Sequence, residues 1–334
     1  MMRGLITTRQ RKLAFIVTIL CMALAGGREY CLAVEGGARP ISMGGAFIAL
    51  SDDVNATTWN PAGLAWQQEK EFSVSAIVTH RTDYISADFV ADDYVVYAQP
   101  VRAKRTSDAQ ASSGFGFYYK NASYENETTR AKTSIWQPGL AYGRQVTNYE
   151  NMAWGLSLNY YYFDSTLPSG SSDNDAAISL NGGYLWYIND DLVFGLMVEN
   201  VNEPTYAVHG VKNRLVRVAR PGLAYFFADS TVATLEIYDI TGNTEDRGAD
   251  LSQDIRIGFE HYINDHVSLR LGAHHLNSDF DASKFYSFGI GWQRSDFFQI
   301  YPVCYYFDYT LISWPDAPAG MEDLTHLLGL TVKF

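Results

Sequence analysis

The sequence predicts an all-β fold: a transmembrane antiparallel β-barrel of about 14 strands, with an N-terminal segment folded into its lumen. Three observations carry this. From about residue 70 onward, segments with apolar residues at every second position follow one another to the C-terminus. The links between these segments alternate between short and long, as the two ends of a membrane barrel require. The last seven residues place Leu328, Leu330, Val332 and Phe334 on one face and Gly329, Thr331 and Lys333 on the other.

Residues 1–33 read as a secretory signal. Arg3, Arg9, Arg11 and Lys12 form a basic start, and Leu13 to Leu24 form an apolar run too short for a comfortable helical span. Cleavage fits after Ala25 or after Ala33. No later apolar run is long enough to cross a bilayer as a helix, so an exported chain of this kind can span a membrane by closing as a barrel. Residues 34–68 are of another kind, dense in Gly and Ala and without alternation. Small residues let backbone pack closely against a wall. Asp52 and Asp53 suit the cap of a short helix through Asn55–Trp59, which Asn60-Pro61 would end.

Residues 69–334 supply the barrel. Phe72, Val74, Ala76 and Val78 alternate with smaller or polar residues. So do Phe115, Phe117 and Tyr119, then Trp154, Leu156, Leu158, Tyr160 and Tyr162. Ile178, Leu180, Tyr184 and Trp186 follow, then Leu192, Phe194, Leu196 and Val198. Further on come Ile255, Ile257 and Phe259, then Val267, Leu269, Leu271 and Ala273, then Tyr286, Phe288, Ile290 and Trp292. Fainter strands fall near Tyr94–Pro100, Trp136–Arg144, Leu215–Phe227, Thr231–Ile240 and Phe297–Phe307. Short turns recur at Val146–Asn151, Asn189–Asp191, Ala228–Ser230, Asn264–His266 and Arg294–Asp296. Longer polar links lie between them, such as Asn121–Ser134 and Asn202–Asn213. No fixed-period motif recurs, which argues against a propeller or solenoid.

Composition narrows the function. Hydrophobic residues are 47% of the chain and the mean hydropathy is −0.14, which excludes a helical membrane protein. The 23 tyrosines suit aromatic belts at two membrane interfaces. A net charge of −12 argues against a nucleic-acid surface. Cys304 stands alone in an aromatic strand and implies neither a disulfide framework nor a metal site.

Small residues recur on the expected lumen face of the early strands, whereas later ones place Glu199, Arg217, Glu236, Arg256, Glu260 and Arg270 inward. Such charges brace a barrel, form a polar constriction or seat a plug. The phase slips at Arg220-Pro221. Because Pro cannot donate to the ladder, a bulge or kink in the wall is expected at Pro221, with Gly114 and Gly116 as other candidates.

The N-terminal segment carries a motif: Gly37-Ala38-Arg39, Met43-Gly44-Gly45-Ala46-Phe47, Asp52-Asp53 and Trp59-Asn60-Pro61-Ala62-Gly63-Leu64. This resembles the FadL-like outer-membrane barrels, including the PorV/PorQ and TraF-like branches. The C-terminal strand ending at Phe334 likewise resembles the signature read by the outer-membrane barrel-assembly machinery. The resemblance implies a bacterial outer-membrane location, with lipids as neighbours. It implies that the N-terminal segment is a hatch in which Gly44, Gly45, Asp52, Asp53, Asn60, Pro61 and Ala62 take part, and it favours cleavage after Ala33. It implies transport of hydrophobic, fatty-acid-like small molecules. The PorV-like branch implies the alternative, a structural or shuttle barrel with a secretion-system protein as partner. Fatty-acid transporters of this group have larger outer loops, and the charged lumen does not suit a continuous apolar tunnel.

No nucleophile elbow, zinc-protease motif or phosphate loop is present, so neither an enzyme nor a cofactor is expected. His274-His275 are expected at a polar loop edge rather than at a metal.

Overall fold

A computed structural model of the protein describes residues 35–79, 91–101, 113–125, 132–243, 253–276, 284–295, 303–314 and 324–334. The expected signal, residues 1–33, lies outside them. Three short helical pieces come first: α1 (Ala38–Ser42), α2 (Ala56–Trp59) and a 3-10 turn over Pro61–Trp66. The strands then follow as β1 (Glu71–Thr79), β2 (Asp93–Pro100), β3 (Ser113–Glu125), β4 (Lys132–Val146), β5 (Tyr149–Thr166), β6 (Ser172–Tyr187), β7 (Leu192–Glu199) and β8 (Thr205–Val208). The second half comprises β9 (Val211–Arg214), β10 (Val218–Ala228), β11 (Thr231–Tyr238), β12 (Asp254–Asn264), β13 (Val267–His274), β14 (Phe285–Arg294), β15 (Cys304–Ser313) and β16 (Leu324–Lys333).

Fourteen strands close into one antiparallel barrel, β1-β16-β15-β14-β13-β12-β11-β10-β7-β6-β5-β4-β3-β2. Strands β8 and β9 form a separate hairpin within the β7–β10 connection. The wall closes between β1 and β16, from Glu71 opposite Lys333 to Thr79 opposite His326. Beyond the last strand pair, Phe334 N–H donates to the Lys70 carbonyl at 2.9 Å, and Lys70 N–H to the Phe334 carbonyl at 3.1 Å. A closed wall satisfies every strand edge, which lipid demands.

Alternation decides which side chain meets which solvent. Leu140, Leu156, Leu158, Ile178, Leu180, Leu271 and Leu328 all stand exposed on the outer face. Contiguous apolar surface of this extent has no place in water and is the lipid-facing band of a membrane barrel. Their neighbours Ala141, Ser157, Asn159, Ser179 and Asn181 are buried on the inner face.

What buries them is the segment before β1. Ile41, Met43, Phe47, Ile48, Trp59, Ala62 and Leu64 are all buried among inward wall residues. Helix α1 packs on β13 to β16, and the Pro61–Trp66 turn packs on β2 to β6. The inner segment thus touches walls on opposite sides of the lumen. Helix α2 follows an Asp53 side chain that accepts from Asn55 N–H at 2.8 Å, and it stops at Asn60, whose backbone is extended.

The expected wall kinks are not register shifts. Pairing of β10 with β7 runs unbroken from Val218 to Tyr225, with Pro221 opposite Leu196. On the other side, the β10–β11 ladder begins at Gly222 opposite Glu236, one residue after Pro221. Proline therefore ends a ladder on one flank rather than bulging the strand. Gly114 and Gly116 also sit in continuous register with both neighbours. They are inward positions where the inner segment comes close: a Cβ on Gly116 would lie 2.6 Å from Thr57 Oγ1.

Candidate functional site

The inner segment meets the wall through three polar anchors and a run of close backbone contacts. Asn60, fully buried, is the first anchor. Its Nδ2 donates to the carbonyls of Ile48 at 2.9 Å and Tyr184 at 3.1 Å. Its Oδ1 accepts from Ala62 N–H at 3.2 Å. One amide thus ties the segment to itself and to β6. Pro61 fits at this place because the first residue of a helical turn needs no N–H.

Arg39 is the second anchor. Its guanidinium takes Glu260 of β12 through Nε at 3.0 Å and Nη2 at 2.7 Å. The same group reaches Asp52 at 2.6 Å and Asp53 at 2.8 Å. Arg270 of β13 donates to Glu260 and to Asp308 of β15, both at 2.6 Å. Paired forks of this kind fix orientation as well as charge.

Arg220 centres the third anchor. It contacts Glu236 of β11 at 2.8 Å, Glu199 of β7 at 2.8 Å and Glu35 of the inner segment at 2.9 Å. Arg256 joins Glu35 at 2.6 Å and Asp254 at 2.9 Å. The other Glu236 oxygen accepts from the N–H groups of Phe47 at 3.2 Å and Ile48 at 3.3 Å. Trp59 and Tyr238 offer ring faces to Arg220, an arrangement that suits a desolvated guanidinium.

Of the six lumen charges read from the sequence, Glu199, Glu236, Arg256, Glu260 and Arg270 are in these anchors. Arg217 is not. It precedes β10, pairs with Glu203 at 3.4 Å, and lines an apolar recess on the outer wall. Arg220 holds the inward position instead. Apolar residues flank both arginines at both parities, so the period of two is hidden there. Glu35 carried no sequence signal, since its partners lie far along the chain.

Close packing does the rest. Gly44 has φ +64°, and a Cβ there would lie 2.6–2.7 Å from backbone atoms of Ala273 and Ile257. Only glycine satisfies both demands. Gly45 also has positive φ and faces Glu35, Arg256 and His274. On the wall, a Cβ on Gly143 would collide with the Pro61 carbonyl oxygen. Gly143→Val should therefore loosen the segment by about 1–3 kcal/mol. Hydrogen exchange at Ala56–Trp66 should rise about tenfold or more, with the barrel still closed. Unchanged exchange would refute the contact.

A polar pocket of about 30 Å³ lies between Trp59, Tyr118, Lys120, Gln137, Glu199 and Arg220, room for about one water. On the lipid side of the same wall, Trp154, Leu156, Tyr184, Leu196 and Val198 line an apolar recess of about 280 Å³. The β8–β9 hairpin leans on β6, with Ala207 and His209 N–H donating to Asp175 and Asp173 at 2.6 Å. Its Tyr206 ring stacks on Phe163 at 3.7 Å.

His274 and His275 stand where β13 meets its loop, but that place is not a polar edge. Both are buried, as is Asp254 beside them. Burial and the nearby Arg256 charge hold His275, just past the end of β13, well below the ordinary histidine range.

No family model and no curated protein matches the chain by sequence. Solved structures do match it in fold. A Pseudomonas aeruginosa FadL homologue aligns over 92% of this chain and 99% of its own, with a TM-score of 0.57 and 10% identity. The Pseudomonas putida toluene transporter TodX aligns over 92% and 98%, with a TM-score of 0.59 and 13% identity. The CymD monoaromatic hydrocarbon channel aligns over 91% and 98%, with a TM-score of 0.61 and 11% identity. The chain shares the barrel fold of these FadL-like structures. Within this FadL-like barrel, the N-terminal motif and the lumen charges meet in one interface.

Proposed function

We propose that the protein is an outer-membrane channel for hydrophobic small molecules, with the inner segment as its hatch. Structures of the same fold are described as toluene and monoaromatic hydrocarbon channels, which supports that substrate class over fatty acids alone. The observation that carries the reading is the inner segment itself, which lies across the lumen and packs on walls on opposite sides of it. Passage requires either movement of the segment or an exit through the wall. The segment is held by side-chain anchors and close packing rather than by strand pairing with the wall, so it can shift without unfolding strands. An apolar solute gains by leaving sideways into lipid, and the recess at Trp154, Leu156 and Leu196 is an apolar surface adjoining that wall. The N-terminal signal delivers the chain across the inner membrane, and the assembly machinery receives β16.

The runner-up is a PorV-like barrel that serves protein secretion or surface attachment. The small, polar lumen pocket favours it. Uptake separates the two. Outer membranes carrying the protein should admit toluene-like probes at least several-fold faster than membranes without it. Equal uptake, with a stable protein partner recovered from the native membrane, would replace the channel reading by the second.

A further inference from the structure

We propose that Asp254, His274 and His275 form a binding site for a divalent transition metal of the zinc class. The three residues come from the long-loop ends of β12 and β13, and one ligand atom from each lies within 4.8 Å of the others. His275 Nδ1 is 3.5 Å from Asp254 Oδ1, and His274 Nε2 is 4.0 Å from Asp254 Oδ2. Zinc bonds of about 2.0–2.2 Å set tetrahedral donor separations of about 3.3–3.6 Å. Small side-chain rotations close the set to that spacing.

The surroundings fit a metal better than a simple ion pair. His274 Nδ1 is 3.0 Å from the Gly44 carbonyl. A carbonyl only accepts, so Nδ1 carries the proton and donates it there. The arrangement turns Nε2 toward Asp254 as the metal-facing nitrogen. Metal-bound histidines are commonly oriented by such a bond from the opposite ring nitrogen. Asp254 gives one oxygen to Arg256 at 2.9 Å. Its other oxygen, Oδ1, is buried without a hydrogen bond and points at His275. Two imidazoles and a carboxylate are a donor set that zinc accepts, with water completing the shell. Charge permits it too. Among the described residues here, Glu35, Glu199, Glu236 and Asp254 face Arg220, Arg256 and Lys120, an excess of one acid over base.

The carbonyl that orients His274 belongs to Gly44 of the inner segment, so metal in this site would fasten the segment to β13. Its binding would couple to how firmly the segment is seated.

The test uses the untagged full chain, extracted in mild detergent and dialysed against a chelator. Zinc added back should bind at one per chain by elemental analysis. Cobalt in its place should give the intense visible band of a tetrahedral nitrogen- and oxygen-ligated ion. His275→Ala should lower zinc affinity at least tenfold and abolish the cobalt band, while the barrel keeps its heat-modifiable migration. Zinc should also slow proteolysis of the inner segment in the parent protein and not in the variant. Absence of stoichiometric zinc in the parent would overturn the site, as would equal binding by His275→Ala. If that variant does not fold, Asp254→Asn is the second probe, and the parent's cobalt spectrum alone can still refute the site.

Discussion

Asn60→Ala should free the inner segment while leaving the wall closed. The change removes both donors to the Ile48 and Tyr184 carbonyls and the acceptor for Ala62 N–H. Asn60 is fully buried, so those groups are left buried and unmatched. A cost of about 2–4 kcal/mol is expected. The wall ladders contain no Asn60 atom, so strand pairing should survive. Hydrogen exchange at Ala56–Trp66 should accelerate about 30-fold or more. Under the channel reading, uptake of apolar probes should rise as well. Faster exchange with unchanged uptake would keep the anchor and discard the gate.

Arg220→Leu should have the larger effect on stability. The guanidinium is the shared partner of Glu35, Glu199 and Glu236, and it lies against Trp59 and Tyr238. Removing it strands buried carboxylates, at a cost of about 3–5 kcal/mol. The segment should leave its seat at the Glu35 end, and the temperature at which protease cuts it should fall. Adding Glu236→Gln should recover part of the loss, because one uncompensated charge disappears. Arg220→Lys should fall between, since a single ammonium cannot serve three carboxylates and two rings. An unchanged midpoint for Arg220→Leu would mean the cluster does not hold the segment.

The barrel was legible because lipid imposes its own periodicity. Leu156 and Leu158 must be apolar and Ser157 and Asn159 need not be, so each strand announces its faces. The same logic fails where both faces are covered. Leu215, Val216, Val218 and Ala219 are apolar at both parities, so the pattern points Arg217 inward in place of Arg220. The hairpin β8–β9 leaves little trace in the sequence because each strand is only four residues long and largely exposed, although positive φ at His209 and Gly210 marks its turn. The inner segment showed its small residues and its motif. Its partners were not legible, because Glu35 to Arg256 and Arg39 to Glu260 each span most of the chain. Nor could the sequence show that His274 meets the Gly44 carbonyl.

The seam between β1 and β16 bears on how the molecule is made. Strand β1 follows the inner segment directly, and β16 closes the wall against β1. The segment fits against glycines on opposite walls, where an added Cβ would collide with it. It therefore has the geometry of a mandrel: the wall is wrapped around it, and joining the first strand to the last seals it inside.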